Sequence, residues 1–195
     1  MSNSPEKKKS KILRIAISGK SGCGNSTVSR LVSQKLGIKM VNYTFRNLAE
    51  DEGVSFEEIR RRAELNDEFD RLVDHRQMEM AMQGSCILGS RLAIWMLHEA
   101  DLRVYLNVNL EERIRRIQKR EGGNIEQRMQ ETVERDQLDH ERYLRIYGIN
   151  NDMFSFADII INSSRLEAEQ VANLIIGAIP NEYLETLAQY KPKKK

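Results

Sequence analysis

Apolar residues in this chain fall into short runs, separated by longer stretches where they recur at helical spacing. The run ILRIAI (12–17) ends in glycine and predicts a buried strand. Beyond the next turn, Val28, Leu31, Val32 and Leu36 repeat every three or four positions, predicting a helix that Gly37 stops. IKMVN (38–42) predicts a short strand, whereas residues 45–84 are polar and helix-like with no strand pattern. Strands are predicted again at CILGS (86–90), LRVYLNV (102–108) and ADIIINSS (157–164). The first of these leads into a short amphipathic segment, LAIWMLH, and the second into a helix with Leu110, Ile114 and Ile117 on one face. Gly122, Gly123 and Asn124 interrupt the pattern, and a long polar helix is expected from about Ile125 to Tyr143. Val171, Ala172, Ile175 and Ile179 mark a last helix; Met78, Met80, Met82 and Trp95 read as packing residues.

Strands that alternate with helices imply a parallel sheet covered on both faces. The expected fold is α/β, a three-layer parallel sheet that the glycine-rich turn GKSGCGNST (19–27), between the first strand and the first helix, makes P-loop-like, with polar inserts at 45–84 and about 118–147. One domain over 11–180 is expected, with 1–10 and 181–195 as polar basic tails. In such folds ligands sit beyond the carboxyl ends of the strands. That rule gathers Gly19 to Ser26, Asn42 to Arg46, Ser90-Arg91 and the loop after Val108 around one crevice.

Composition narrows the function classes. With 195 residues, 40% hydrophobic and 31% charged, the chain reads as an ordinary soluble protein. Its net charge of +2 is concentrated in lysines near the two ends, so no stable nucleic-acid partner is expected. No apolar run reaches the roughly 20 residues of a membrane span, and no signal-peptide pattern is present. The two cysteines, Cys23 and Cys86, suggest reduced thiols and a cytoplasmic protein. His75, His98 and His140 form no ligand spacing with them, so no structural metal is expected.

The chemistry begins at GKSGCGNST: Gly19, Lys20, Ser21, Gly22, Cys23, Gly24, Asn25, Ser26 and Thr27. The pattern is that of a phosphate-binding loop, with Asn25 in the lysine position. Composition alone would produce the lysine-free pattern in about one chain in ten, so the flanking strand, the following helix and the extra Gly22 carry the reading. Loop amides and the helix start would hold phosphate, and the Ser26 hydroxyl would take Mg²⁺. A charge about 4 Å from a phosphate oxygen is worth about 4 kcal/mol at an effective dielectric near 20. Another cation should therefore replace the lysine.

Arg128, Arg135 and Arg142 are seven apart, which puts them on one side of the long helix, with Asp139 on the same side. One reading is a solvated helix laced with pairs such as Glu131–Arg135. The other is an arginine-bearing arm hinged at Gly122-Gly123, as phosphoryl transfer requires.

Taken together, GCGNST, NYTFRNLAEDEGVSFEEI, CILGSRLAIWM, ERDQLDHERY and RIYGIN resemble the nucleoside monophosphate kinases. They most closely resemble cytidylate kinases of the short form best known from archaea, whose loop has a hydroxyl residue instead of lysine. The resemblance runs from Arg14 to about Ile179. It implies a monomer that uses MgATP to phosphorylate CMP or dCMP; the short apolar runs add the expectation of no membrane partner. It further implies that Arg46 and Arg91 hold the acceptor phosphate, that Arg135 and Arg142 reach the transferring phosphates and the monophosphate, and that Asp139 meets the acceptor ribose. The lid would lie at about 118–130, with Arg116 or Arg120 near the adenine. Two departures stand out: Ser90 and Leu92 flank Arg91 where the family has an acid, and Asn25 is neither lysine nor a hydroxyl residue. Lys20 is placed to swing back to the phosphates, and Tyr43 and Phe45 either stack on a base or pack the insert. A nucleotide-binding module with weak turnover and a P-loop kinase for another small molecule are the alternative readings.

Overall fold

In the computed structural model, which describes residues 11–188 without the side chains of residues 64, 186 and 188, the apolar runs pair into one sheet. β1 (Arg14–Ser18) lies at its centre, between β3 (Cys86–Gly89) and β4 (Leu102–Asn107); β2 (Lys39–Val41) flanks β3 and β5 (Ile159–Asn162) flanks β4. All pairings are parallel, in the order β2-β3-β1-β4-β5. The α/β expectation is borne out. The chain leaves β1 toward one edge and returns to the other after β3, so the strand order reverses beside β1, where such sheets form their crevice.

Alternate residues of the central strands feed two cores. Ile15 and Ile17 face α1 (Asn25–Leu36) and α8 (Ala168–Gly177), packing on Val28, Val32, Val171 and Ile175. Ala16, Leu88 and Tyr105 face the other way, onto α5 (Ala93–Met96) with Ile94 and Leu97. Each fully buried Ile or Leu contributes about 1.5–3 kcal/mol by leaving water. Trp95 stands edge-on to Tyr105, with ring centroids 6.1 Å apart, and to Phe156 at 5.8 Å. Tyr105 stacks flat on Phe154 at 3.8 Å.

The polar stretch after β2 forms three helices, α2 (Phe45–Glu52), α3 (Phe56–Leu65) and α4 (Glu68–Met82). They enclose a small core of their own built on Tyr43, Leu48, Ala49, Ile59 and Val73. Met78 and Met80 pack as expected, while Met82 is largely exposed. α6 (Leu110–Glu121) and α7 (Ile125–Tyr147) form a hairpin through Gly122-Gly123-Asn124. The Asn124 side chain accepts from the Glu126 N–H at 2.7 Å and starts α7. α7 runs a turn beyond its expected end.

The expected tail is corrected at its start. α9 (Asn181–Ala188) is a helix, because Tyr183, Leu184 and Leu187 present one apolar side to the sheet core. The Tyr183 hydroxyl donates to Asp101 at 2.7 Å. The basic tails expected at 1–10 and 189–195 lie outside the described residues.

Candidate active site

The glycine loop turns from β1 into α1 at the centre of the sheet. Gly22 and Gly24 adopt φ of +83° and +90°, values that a side chain disfavours. A Cβ on Gly22 would also stand 2.9 Å from the Arg113 carbonyl oxygen, so this turn accepts no larger residue without moving α6. All nine residues from Gly19 to Thr27 line one cleft of about 1060 Å³. Ser26 and Thr27 are exposed, and the first turn of α1 points free N–H groups into the opening.

Asn25 does not act as the missing lysine would. Its backbone belongs to the loop, but its side chain turns inward: Nδ2 donates to the Ile17 carbonyl at 2.9 Å and to the Ser90 carbonyl at 3.1 Å. Its Oδ1 accepts from the Ser29 hydroxyl at 2.9 Å. Ser18 also donates to Ser90 O, at 3.1 Å. Asn25 is therefore a tie between the ends of β1 and β3, possible because Gly89 leaves room: a Cβ there would meet Ser29 Oγ at 2.5 Å. Lys20 lines the cleft but is paired with Asp152 at 2.7 Å.

Three arginines bring positive charge to the cleft. Arg91, Arg135 and Arg142 all line the cleft. Arg135 Nη1 lies 3.4 Å from Ser21 Oγ. The expected Glu131–Arg135 pair is not formed, because Glu131 takes Gln127 at 2.9 Å and Arg128 instead. Among the described residues Arg135 forms no ion pair with a carboxylate. Arg128, the third of the series, is bound to Glu131 and to the Gly122 carbonyl and stays out of the cleft.

Asp139 lies outside the cleft lining. It is 7% exposed, with one oxygen on Arg91 and the other 2.7 Å from Arg142 Nη2. Burial pushes its carboxyl above the usual range, against the pull of Arg91 and Arg142. Its position makes it a clasp that aims two guanidinium groups. Arg46 is not brought to the cleft either; it is exposed and stacks 4.5 Å over the Phe56 ring. Tyr43 and Phe45 do line it, with the Tyr43 hydroxyl donating to Asp51 at 2.6 Å. Burial keeps the Cys23 thiol protonated, with a raised pKa. A cavity of about 10 Å³ behind the loop is bounded by Lys20, Arg91, Trp95, Asp136 and Asp139.

Two groups of residues were not singled out by the sequence. Arg113, 5% exposed, donates to the Ser21 carbonyl at 3.0 Å and grips Asp136 with two bonds of 3.1 and 2.6 Å, joining the loop, α6 and α7. Asp70, Asp74 and Gln77 bring polar groups from α4 into the cleft, and burial raises both carboxyl pKa values. The signal for both was a polar residue inside an inward-facing stripe: Arg113 beside Ile114 and Ile117, and Gln77 between Val73 and Ala81. Arg116, expected near an adenine, reaches the Cys23 and Ser163 carbonyls at 3.2 and 2.7 Å and lines the cleft.

A model of the cytidylate kinase-like family matches residues 14–165. The chain belongs to that family. A cytidylate kinase of Pyrococcus horikoshii is 37% identical over 93% of this chain and 95% of its own length. One from Archaeoglobus fulgidus is 39% identical over 86% and 94%, and a cytidylate kinase 2 of Borreliella afzelii is 36% identical over 89% and 99%. A shikimate kinase from Acinetobacter baumannii shares the fold, with a TM-score of 0.58 at 19% identity over 93% of this chain and 97% of that one. The family read from the sequence is thus borne out, and with it an enzyme of the nucleoside monophosphate kinase kind. Membership also sets the lysine-free loop in a new light: the cytidylate kinase-like chain keeps its cations on α7 and after β3, and uses position 25 to brace the sheet.

Proposed function

We propose that the enzyme transfers the γ-phosphoryl group of ATP to the phosphate of CMP or dCMP, giving ADP and the diphosphate. The observation that carries the reading is the convergence of the glycine loop with Arg91, Arg135 and Arg142 on a single cleft. The names of its relatives support the acceptor. Loop amides and the α1 N-terminus hold the donor phosphates. Arg91 and Arg142, aimed by Asp139, hold the acceptor phosphate, and Arg135 covers the group in flight. An acceptor phosphate oxygen attacks the γ-phosphorus in line while the β–γ bridging bond breaks, its electron pair leaving on ADP. That oxygen is already ionised near neutral pH, so no side chain needs to act as a base.

Ser26 fits Mg²⁺: its hydroxyl is exposed at the loop's end, a hard oxygen beside the phosphate site. When bound, the ion neutralises charge on the donor phosphates. The place after β3 where an acid was sought is Ser90, whose carbonyl is held by Asn25 and Ser18. Asp139 is assigned to aiming arginines rather than to the ribose, and Arg46 is given no role. In this reading α2–α4 form the acceptor insert and residues 118–130 the lid. A cytoplasmic monomer is the proposed setting; its two free, buried cysteines suit a reducing compartment.

The test is ADP release from MgATP with CMP, dCMP, UMP, AMP, GMP or no acceptor. Turnover on the cytosine nucleotides, with background ADP in their absence, is the expected result. Background ADP with every acceptor, from folded protein, would overturn it.

A further inference from the structure

Asp70, Asp74 and Gln77 follow at i, i+4 and i+7 on α4, so they share one face and span about 10 Å along the axis. All three line the cleft, and Asp70 and Gln77 are only 8% and 5% exposed. The Asp70 end adjoins the phosphate-handling groups, with its Oδ1 3.5 Å from Arg142 Nε. Gln77 lies farthest from them along the helix. Between the two, Asp74 Oδ2 accepts from the Tyr147 hydroxyl at 2.6 Å and Oδ1 from Gln77 Nε2 at 3.4 Å.

That last bond orients the Gln77 amide. Its nitrogen faces a carboxylate, so its oxygen is left as an acceptor, and this buried oxygen has no hydrogen-bond partner among the described residues. A buried acceptor without a donor is costly and uncommon in folded proteins. This end of the cleft therefore offers a carboxylate already shared by Tyr147 and Gln77, and beside it an amide oxygen that lacks a donor. Tyr43, Phe45 and Val73 supply apolar surface in the same cleft for a flat ring.

We propose that Asp74 and Gln77 read the base of the acceptor nucleotide, accepting from an exocyclic amine and selecting cytosine over uracil. The inference rests on the reading that the acceptor is a nucleoside monophosphate. Cytosine carries an amino group at C4, a donor. Uracil carries a carbonyl there, which would face two acceptors and leave Gln77 Oε1 unpaired. Sites built to bond a particular polar group reject analogues that lack it by about 10⁴-fold or more. Asp70 contributes little to this choice, since its carboxylate is turned to Arg142.

The experiment compares kcat/KM for CMP and UMP in the full-length enzyme and in the Asp74→Asn and Gln77→Met variants. The wild-type enzyme should prefer CMP by at least about 10²-fold. Asp74→Asn replaces an acceptor with a donor able to meet the uracil carbonyl, so the UMP:CMP ratio should rise at least about tenfold. Gln77→Met keeps the volume, removes the unpartnered oxygen and should lose CMP turnover without losing stability; it serves as the test if Asp74→Asn fails to fold. Equal losses on both acceptors in both variants would overturn the proposal, because the side chains would then only hold α4 in place. A wild-type enzyme that uses CMP and UMP equally would overturn it while leaving the kinase reading intact. A wild-type enzyme that phosphorylates no acceptor would overturn that reading, and the inference with it.

Discussion

Replacing Asn25 by lysine would restore the residue that phosphate loops usually carry, yet on this structure it should do harm. A lysine cannot hold the Ile17 and Ser90 carbonyls and the Ser29 hydroxyl together. The expected cost is about 1–3 kcal/mol of stability, the range for buried polar groups left unpaired, with no gain in ATP affinity. Urea unfolding and ATP titration would check both. Two arginines should separate cleanly in the same way. Arg135, without an ion pair among the described residues, should be dispensable for folding, while Arg135→Met should lower kcat by about 10³-fold or more, as for other charge-stabilising arginines. Arg113→Met leaves Asp136 without its partner and should cost about 3–5 kcal/mol, visible in denaturation before any assay. The loop and the arginines were legible from residue type and spacing. The direction of Asn25 was not, because a sequence records a side chain but not which carbonyls stand beneath it. Asp139 and Arg46 had the same limit: one is spent on its neighbours, the other lies on the wrong side of α2.

At the scale of elements, runs of β-branched and aliphatic residues marked each strand to within two or three positions, and helical spacing marked α1, α6, α7 and α8. The insert was read as helical, but its division into three helices around its own core depends on packing among them. α9 escaped notice because its polar composition hid a single apolar side, Tyr183, Leu184 and Leu187. Its anchor can be tested. The hydrogen bond to Asp101 pushes the Tyr183 hydroxyl up to about 12, from 10 in the unfolded chain. A raised folded-state value means that the bond's contribution is whole below pH 10 and is lost as the pH climbs through 12. Tyr183→Phe should therefore lower the midpoint of thermal unfolding at pH 8, and the difference from wild type should vanish toward pH 12.

For the whole molecule, the reversal of strand order beside β1 decides where the cleft lies, and alternating strands and helices made that place legible in advance. The way α4 and α7 close over it was not, since they come from separate inserts whose meeting no local pattern encodes. Ligands that bridge these parts should stabilise the fold as a unit. At a hundred times its dissociation constant, one ligand adds about 2.7 kcal/mol, a rise of roughly 5–10 °C for a chain of this size. ATP and CMP together should exceed either alone in a thermal-shift measurement; no shift with any combination would count against a shared cleft.

Trp95 is the single tryptophan of the chain, and its place beside Lys20 and Arg91 behind the loop makes it a built-in fluorophore. It meets Tyr105 and Phe156 edge-on, so its emission should follow the placement of those rings, and Phe156 lies four residues beyond Asp152, the partner of Lys20. Any event that draws Lys20 toward nucleotide should change that emission. Rapid mixing with ATP, observed at tryptophan wavelengths, would time the first movement of the catalytic cycle with no dye attached.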